Sequence, residues 1–161
     1  MGKSEEHFEQ LKALAGSKSV IVGIGNTLKG DDGVGPFICE KLAGKTCAKV
    51  IDAATVPENY IQRIISQKPQ NLIIIDAVDF GGKAGEIKVF SSEKLNSVVI
   101  STHTLSPKIF IDMICREINA DVYFIGVQPA HVQLGEPISR QVQGAIEKLT
   151  DILIETFPLK K

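Results

Sequence analysis

Apolar residues follow two patterns along the chain, unbroken runs and stripes at helical spacing. Unbroken runs predict buried strands, and one more alternating run predicts an edge strand. The predicted strands span residues 19–24, 49–53, 71–76, 86–90 (the edge strand) and 121–127. The predicted helices span residues 5–15, 33–42, 55–66, 107–118 and 138–157. Strands that alternate with helices predict an α/β fold, with an open, mostly parallel sheet and helices on both of its faces.

Local signals refine these elements. On the first helix Phe8, Leu11 and Leu14 form one apolar stripe, whereas we expect His7 to be solvated. Thr55 and Glu58 have the spacing of a capping box, which predicts that the third helix starts there. The cysteines of the second and fourth helices, Cys39 and Cys115, are expected in the core.

Composition excludes several classes of protein. The 161 residues fit one domain (1–161), in which residues 1–18 form an N-terminal helical extension. The formal net charge of −1 and the lack of a basic run argue against nucleic-acid binding. Three cysteines without a Cys-x-x-Cys motif favour a reducing compartment. Neither a secretory signal nor an 18-residue apolar run is found, so we expect a cytoplasmic protein without a membrane partner.

The segment Gly25–Gly35 follows the first strand and carries two adjacent acids, Asp31 and Asp32. Glycine-rich turns at this place usually bind phosphate, but a P-loop requires Lys and Ser/Thr where these acids stand. The dinucleotide fingerprint lacks its third glycine, since Leu28 occupies that position, although Asp52 could serve as its distant acid. A pair of carboxylates repels phosphate and attracts cations. The turn therefore favours a metal or acid–base site over a nucleotide site.

In open α/β sheets, ligands bind beyond the carboxyl ends of the strands. Asp32 follows the first strand, Asp76 closes the third, and His103 lies in a polar loop before a helix that can reach the same edge. Two carboxylates and an imidazole suit a divalent transition metal. Simpler interpretations stay open: Asp31 could cap the next helix, and His131 is a rival to His103 because it also follows a strand. No Gly-x-Ser-x-Gly elbow is present, so hydrolysis would need metal, carboxylate and water.

Five motifs together resemble those of the [NiFe]-hydrogenase maturation endopeptidases, in particular the formate-hydrogenlyase type. They are Gly23-Ile-Gly25-Asn26-Thr27-Leu28-x-Gly30-Asp31-Asp32-Gly33-x-Gly35, Pro57-Glu58-Asn59, Ile75-Asp76-Ala77-x-Asp79, Thr102-His103 and Gly126-x-Gln128-Pro129. The resemblance runs from about residue 19 to 155 and leaves out the N-terminal helix. It implies a three-layer α/β/α sandwich of the phosphorylase/hydrolase-like kind, built around a five-stranded sheet. The family's three metal-binding positions fall on Asp32, Asp76 and His103, which would also be the catalytic residues.

The resemblance also implies a substrate and a mechanism. The protein would act as a monomer on a hydrogenase large-subunit precursor and remove its C-terminal peptide after nickel insertion. Nickel of the precursor would be recognised by Asp32, Asp76 and His103, and in the isolated protein another divalent metal such as zinc or cadmium would take its place. The metal, or a carboxylate acting as base, would then activate the attacking water. Asp31 would orient the loop or a ligand. Two alternatives stay open: a nickel-binding assembly module without peptidase activity, and a nucleotide-binding oxidoreductase.

Overall fold

The computed structural model describes residues 2–91, 95, 99–100 and 106–160. The helices are α1 (Lys3–Lys12), α2 (Val34–Leu42), α3 (Ile61–Gln67), α4 (Pro107–Cys115) and α5 (Arg140–Thr156). The strands are β1 (Ser19–Ile24), β2 (Lys49–Ala54), β3 (Asn71–Asp79), β4 (Ile87–Phe90), β5 (Val99–Ile100) and β6 (Asp121–Val127). Two 3₁₀ helices, Gly30–Gly33 and Pro57–Tyr60, precede α2 and α3.

Five strands form a mostly parallel sheet in the order β2-β1-β3-β6-β4. β1, β2, β3 and β6 pair in parallel, and β4 pairs antiparallel with β6 at one edge. The short strand β5 pairs antiparallel with the end of β3, where Val78 faces Ile100. The predicted mostly parallel sheet with 86–90 at an edge is confirmed. The additional strand β5 and the extension of β3 to Asp79 were not expected.

Two separate apolar cores cover the two faces of the sheet, so the predicted three-layer arrangement is confirmed. Residues of β3 alternate between them: Ile73 and Ile75 join the core under α1, α2 and α5, while Leu72 and Ile74 join the core under α3 and α4. All four are completely buried. Burial of each such side chain stabilises the fold by about 1.5–3 kcal/mol, which explains why an unbroken run of apolar residues forms this central strand.

The N-terminal helix belongs to the core. Phe8 and Leu11 of α1 are buried in the cluster that includes α5, as predicted. Leu14 is buried there too, but it lies in the turn after the helix, which ends at Lys12 rather than at residue 15. The expectation that His7 is solvated was wrong. His7 is half-buried against β4, and its Nδ1 atom accepts a hydrogen bond from the Val89 N–H at 3.3 Å. Burial, with a smaller contribution from the charge of Lys88, lowers the pKa of His7 below 6.5.

Three other local expectations were wrong. The segment Pro57–Tyr60 is a 3₁₀ helix without a side-chain cap, and α3 starts only at Ile61. Val56, with φ −129° and ψ 62°, is the residue before the first turn, so the turn begins at Pro57 and Thr55 lies outside the capping position. Helix α4 ends at Cys115 rather than at residue 118. Its last residue turns away from the sheet, so Cys115 is exposed, whereas Cys39 is buried as expected.

Candidate functional site

The turn after β1 packs the acidic loop tightly against the carboxyl ends of β1 and β3. Gly25 has a φ of +152°, and a Cβ atom there would collide with the carbonyl oxygen of Asp32. A Cβ atom on Gly35 would lie 2.6 Å from the Ile24 nitrogen and 2.6 Å from the Ile75 oxygen. Only glycine permits such close backbone approach. The tight packing places Asp32 at the carboxyl edge of the sheet, where Asp76 of β3 also lies.

Asp32 is 1% exposed, although it is an acidic residue on a loop. Its Oδ2 atom accepts a hydrogen bond from the Asn26 N–H at 3.0 Å. The Asn26 side chain in turn accepts the Leu28 N–H at 2.9 Å, forming an Asx turn. The N-terminal part of the loop thus fixes the position of the Asp32 carboxylate.

Asp31 is completely buried and has a different function from its neighbour. Its Oδ2 accepts hydrogen bonds from the Ala130 N–H at 2.8 Å, the His131 N–H at 3.3 Å and the Ser139 hydroxyl at 2.8 Å. Its Oδ1 accepts the Ser139 N–H at 2.7 Å. Ser139 is the N-cap of α5. Asp31 therefore fastens the acidic loop to the segment after β6 and to the start of α5, and the idea that it caps α2 was wrong.

Asp76 lies in the central strand and is 1% exposed. Its Oδ1 atom accepts a hydrogen bond from the Ala77 N–H at 2.8 Å. In the register of the sheet, Gly23 of β1 faces Ile75, so Asp76 stands one residue beyond the last pair of β1 and β3. The strand places this carboxylate beside the acidic loop.

Gln128 stabilises the turn that follows β3, a role that its sequence position alone did not reveal. Its Oε1 atom accepts the Phe80 N–H at 2.9 Å and the Gly82 N–H at 3.1 Å, and its Nε2 atom donates to Asp79 at 3.1 Å. Asp79 forms a turn by accepting the Gly81 N–H at 3.1 Å. The Gly81 and Gln128 hydrogen bonds lower the pKa of Asp79. The sequence indicated only that Gln128 follows β6 directly, at the carboxyl edge of the sheet.

His103 lies outside the described residues. The strand that precedes it, β5, pairs its Ile100 with Val78, two residues beyond Asp76. Because this pair is antiparallel, β5 runs from Val99 to Ile100 alongside Asp79 and Val78, opposite to the direction of β3. Within the described ranges, no three His, Cys, Asp or Glu side chains come together as a metal site. His131, the rival histidine, is therefore not assembled with the two carboxylates into a three-ligand group.

The described helices include none that is long and apolar enough to cross a membrane. A three-layer α/β/α protein with buried carboxylates at the carboxyl edge of its parallel sheet belongs to a class rich in enzymes. The model of one such family, HycI hydrogenase maturation protease, matches residues 38–156, well over half of the chain. The chain therefore belongs to the hydrogenase maturation proteases, a family of peptidases, as its motifs predicted.

Individual relatives agree with this assignment. The hydrogenase 3 maturation protease of Escherichia coli K12 is 34% identical over 131 residues, which cover 80% of this chain and 83% of that protein. The crystal structure of the [NiFe] hydrogenase maturation protease HycI from Thermococcus kodakarensis KOD1 superimposes with a TM-score of 0.83 at 30% identity, covering 92% and 97% of the two chains. The solution structure of the endopeptidase HycI from Escherichia coli gives a TM-score of 0.78 at 32% identity, covering 88% and 95%.

Proposed function

We propose that this protein removes the C-terminal extension of a [NiFe]-hydrogenase large-subunit precursor once nickel has been inserted. The observation that carries the proposal is the burial of both Asp32 and Asp76 at the carboxyl edge of the sheet, in a chain of the maturation protease family. Buried carboxylates cost free energy, so their presence at a ligand-binding edge points to use in recognition or chemistry.

Recognition of nickel would use Asp32, Asp76 and His103. Carboxylate oxygens and an imidazole nitrogen are suitable donors for a divalent transition metal. The nickel belongs to the substrate, so the protein needs to supply only part of its coordination. In the isolated protein, another divalent ion such as zinc or cadmium would bind the same three side chains.

The reaction is hydrolysis of one peptide bond. A water molecule attacks the carbonyl carbon of the scissile bond, and a carboxylate of Asp32 or Asp76 takes the proton that the water loses. The same proton then passes to the nitrogen of the departing C-terminal peptide, so that an acid and an amine result. Nickel beside the scissile bond would assist by lowering the pKa of bound water. Asp31 takes no part in proton transfer, because its oxygens already accept four hydrogen bonds.

The compartment and the oligomeric state are further parts of the proposal. We infer that the protein acts in the cytoplasm as a monomer. Its three cysteines, all of them described, are free thiols, as expected in a reducing compartment.

A processing assay tests the proposal. The purified protein is mixed with nickel-loaded or nickel-free large-subunit precursor, and the precursor's C-terminus is followed by intact mass. Loss of the extension from the nickel-loaded form alone is the expected result. Cleavage of both forms would remove nickel recognition from the proposal. Tight binding of the loaded precursor without cleavage would instead support a nickel-binding assembly module.

Asp76→Asn separates the site from the scaffold. We expect this variant to lose processing while its melting temperature stays near or above that of the wild type, because it removes a buried negative charge and leaves the size of the side chain unchanged. Asp151→Asn makes the same chemical change on the exposed face of α5 and serves as the control, with processing unchanged. If Asp76→Asn unfolds, Asp76 is a structural residue and the proposed role is wrong.

A further inference from the structure

The two outer edges of the sheet differ in how they are covered. At the β4 edge, helix α1 lies against the strand, and His7 accepts the outward-facing Val89 N–H. At the other edge, the described part of the chain contains no strand that pairs with the outer side of β2. The nearest bridge, between Thr46 and Pro158, lies before β2 begins. Among the described residues the outer side of β2 therefore has no strand partner, and such an edge is a template for another strand.

A groove runs along this open edge, between β2 and helix α2, with a volume of about 520 Å³. Its floor is apolar and includes Leu42 of α2 and Ala48 and Val50 beside it. Its margins carry both charge signs, from Glu40, Lys49 and Asp52. At one end it reaches Thr27 in the acidic loop. The groove thus leads from the open strand edge to the loop that holds Asp32.

We propose that the segment of the large-subunit precursor next to the scissile bond binds as an added strand along the outer edge of β2. This inference rests on the proposed function. Main-chain hydrogen bonds to β2 would supply affinity, and alternate side chains of the peptide would enter the groove over Ala48 and Val50. The geometry favours small or medium apolar residues at those alternate positions.

The position of β2 explains why the occupant is the substrate. The carbonyl oxygen of Ala54, the last residue of β2, accepts the N–H of Gly25 at 2.8 Å, so the strand ends where the acidic loop begins. The six residues of β2 span about 20 Å at roughly 3.3 Å per residue. An extended peptide that pairs with the strand therefore arrives at the acidic loop, whose next residues lead to Asp32.

The charges on β2 argue against a second copy of this chain as the occupant. Lys49 and Asp52 are exposed, and charged side chains on an edge strand are a common means of preventing edge-to-edge association. A peptide that pairs with β2 is not subject to the same restriction, since its own sequence can place small residues opposite these charges. Dimerisation through β2 is accordingly an outcome that the test must detect.

Val50→Arg is the first test, because a long charged side chain on the groove floor obstructs the peptide without touching Asp32 or Asp76. With nickel-loaded precursor as substrate, we expect KM to rise at least tenfold while kcat stays within about threefold, since the site itself is intact. Leu159→Arg adds the same side chain at an exposed apolar position near the C-terminus and should leave both constants unchanged. An unchanged KM for folded Val50→Arg overturns the inference.

Hydrogen exchange on the wild-type protein keeps the test independent of that variant's folding. The probe is a synthetic peptide that spans the scissile bond and the extension of the precursor. Slower exchange of β2 amides in its presence supports the inference. Protection confined to other segments, or a dimer that protects β2 without peptide, overturns it. Failure of the wild type to process nickel-loaded precursor would instead refute the proposed function, so the two failures are distinguishable.

Discussion

Replacement of Asp31 by alanine tests how the acidic loop is held in place. The carboxylate is completely buried and accepts three backbone N–H groups and one hydroxyl, which belong to Ala130, His131 and Ser139. Asp31→Ala removes the carboxylate, so the four donors lose their shared acceptor. The loop of Asp32, the segment after β6 and the start of α5 then lose their common anchor.

The magnitude follows from the four hydrogen bonds. A hydrogen bond to a charged group contributes about 1.5–3 kcal/mol, so the full sum of about 6–12 kcal/mol is an upper bound. Ala130 is exposed and His131 and Ser139 are half-buried, so water can reach part of this segment after the substitution. We therefore expect Asp31→Ala to lower the free energy of unfolding by about 3–4 kcal/mol. For a domain of this size, the melting temperature should fall by about 6–16 °C.

Urea unfolding measures the effect as a lower midpoint at an unchanged m value. Ser139→Ala is the matched comparison, since it removes one of the four bonds together with the α5 cap, and should cost about 1–2 kcal/mol. In the double variant the two losses should not add, with a coupling of about 1–2 kcal/mol. A loss below about 1 kcal/mol for Asp31→Ala, or fully additive losses, would refute the anchoring role.

Three further results are expected. Gly35→Ala forces a Cβ atom to 2.6 Å from backbone oxygens and should destabilise strongly, whereas Gly144→Ala, in open space on α5, should raise stability by up to about 1 kcal/mol in urea unfolding. The pKa of His7 is lowered below 6.5 in the folded protein, so the unfolded chain takes up the proton at a higher pH than the folded protein does. The melting temperature should therefore fall as the pH drops below about 6.5. His7→Leu should make that decline smaller. Burial, and to a smaller extent the charge of Asp52, raises the pKa of Cys39 to about 12. A thiol reagent at pH 8 should therefore label only the exposed Cys47 and Cys115 until denaturant is added. Equal melting temperatures for the two glycine variants would contradict the first expectation. The same pH profile for His7→Leu and the wild type would contradict the second, and rapid labelling of all three thiols the third.

The pattern of apolar residues predicted most of the fold, because strands that are buried on both faces of the sheet must be apolar on both faces. The run Asn71–Asp76 is apolar on both faces, and only a central strand with a helical layer on each side can bury such a run. Local chemistry was less informative. The Thr55 and Glu58 spacing suggested a capping box, but the proline between them fixed the chain in a 3₁₀ turn that begins later. His7 looked like a surface residue because its partner, Val89, lies 82 positions away.

The sequence by itself determined the order of the elements, the parallel sheet and the carboxyl edge at which Asp32 and Asp76 stand, since these depend on periodicity and on residues close together in the chain. Its motifs also indicated the protease family. The tertiary structure alone decided which acid of the adjacent pair is an anchor, because Asp31 owes its role to Ala130, His131 and Ser139, about a hundred residues away. It also decided which sheet edge is covered and which is open. Such contacts depend on how distant segments pack, and no local pattern encodes them.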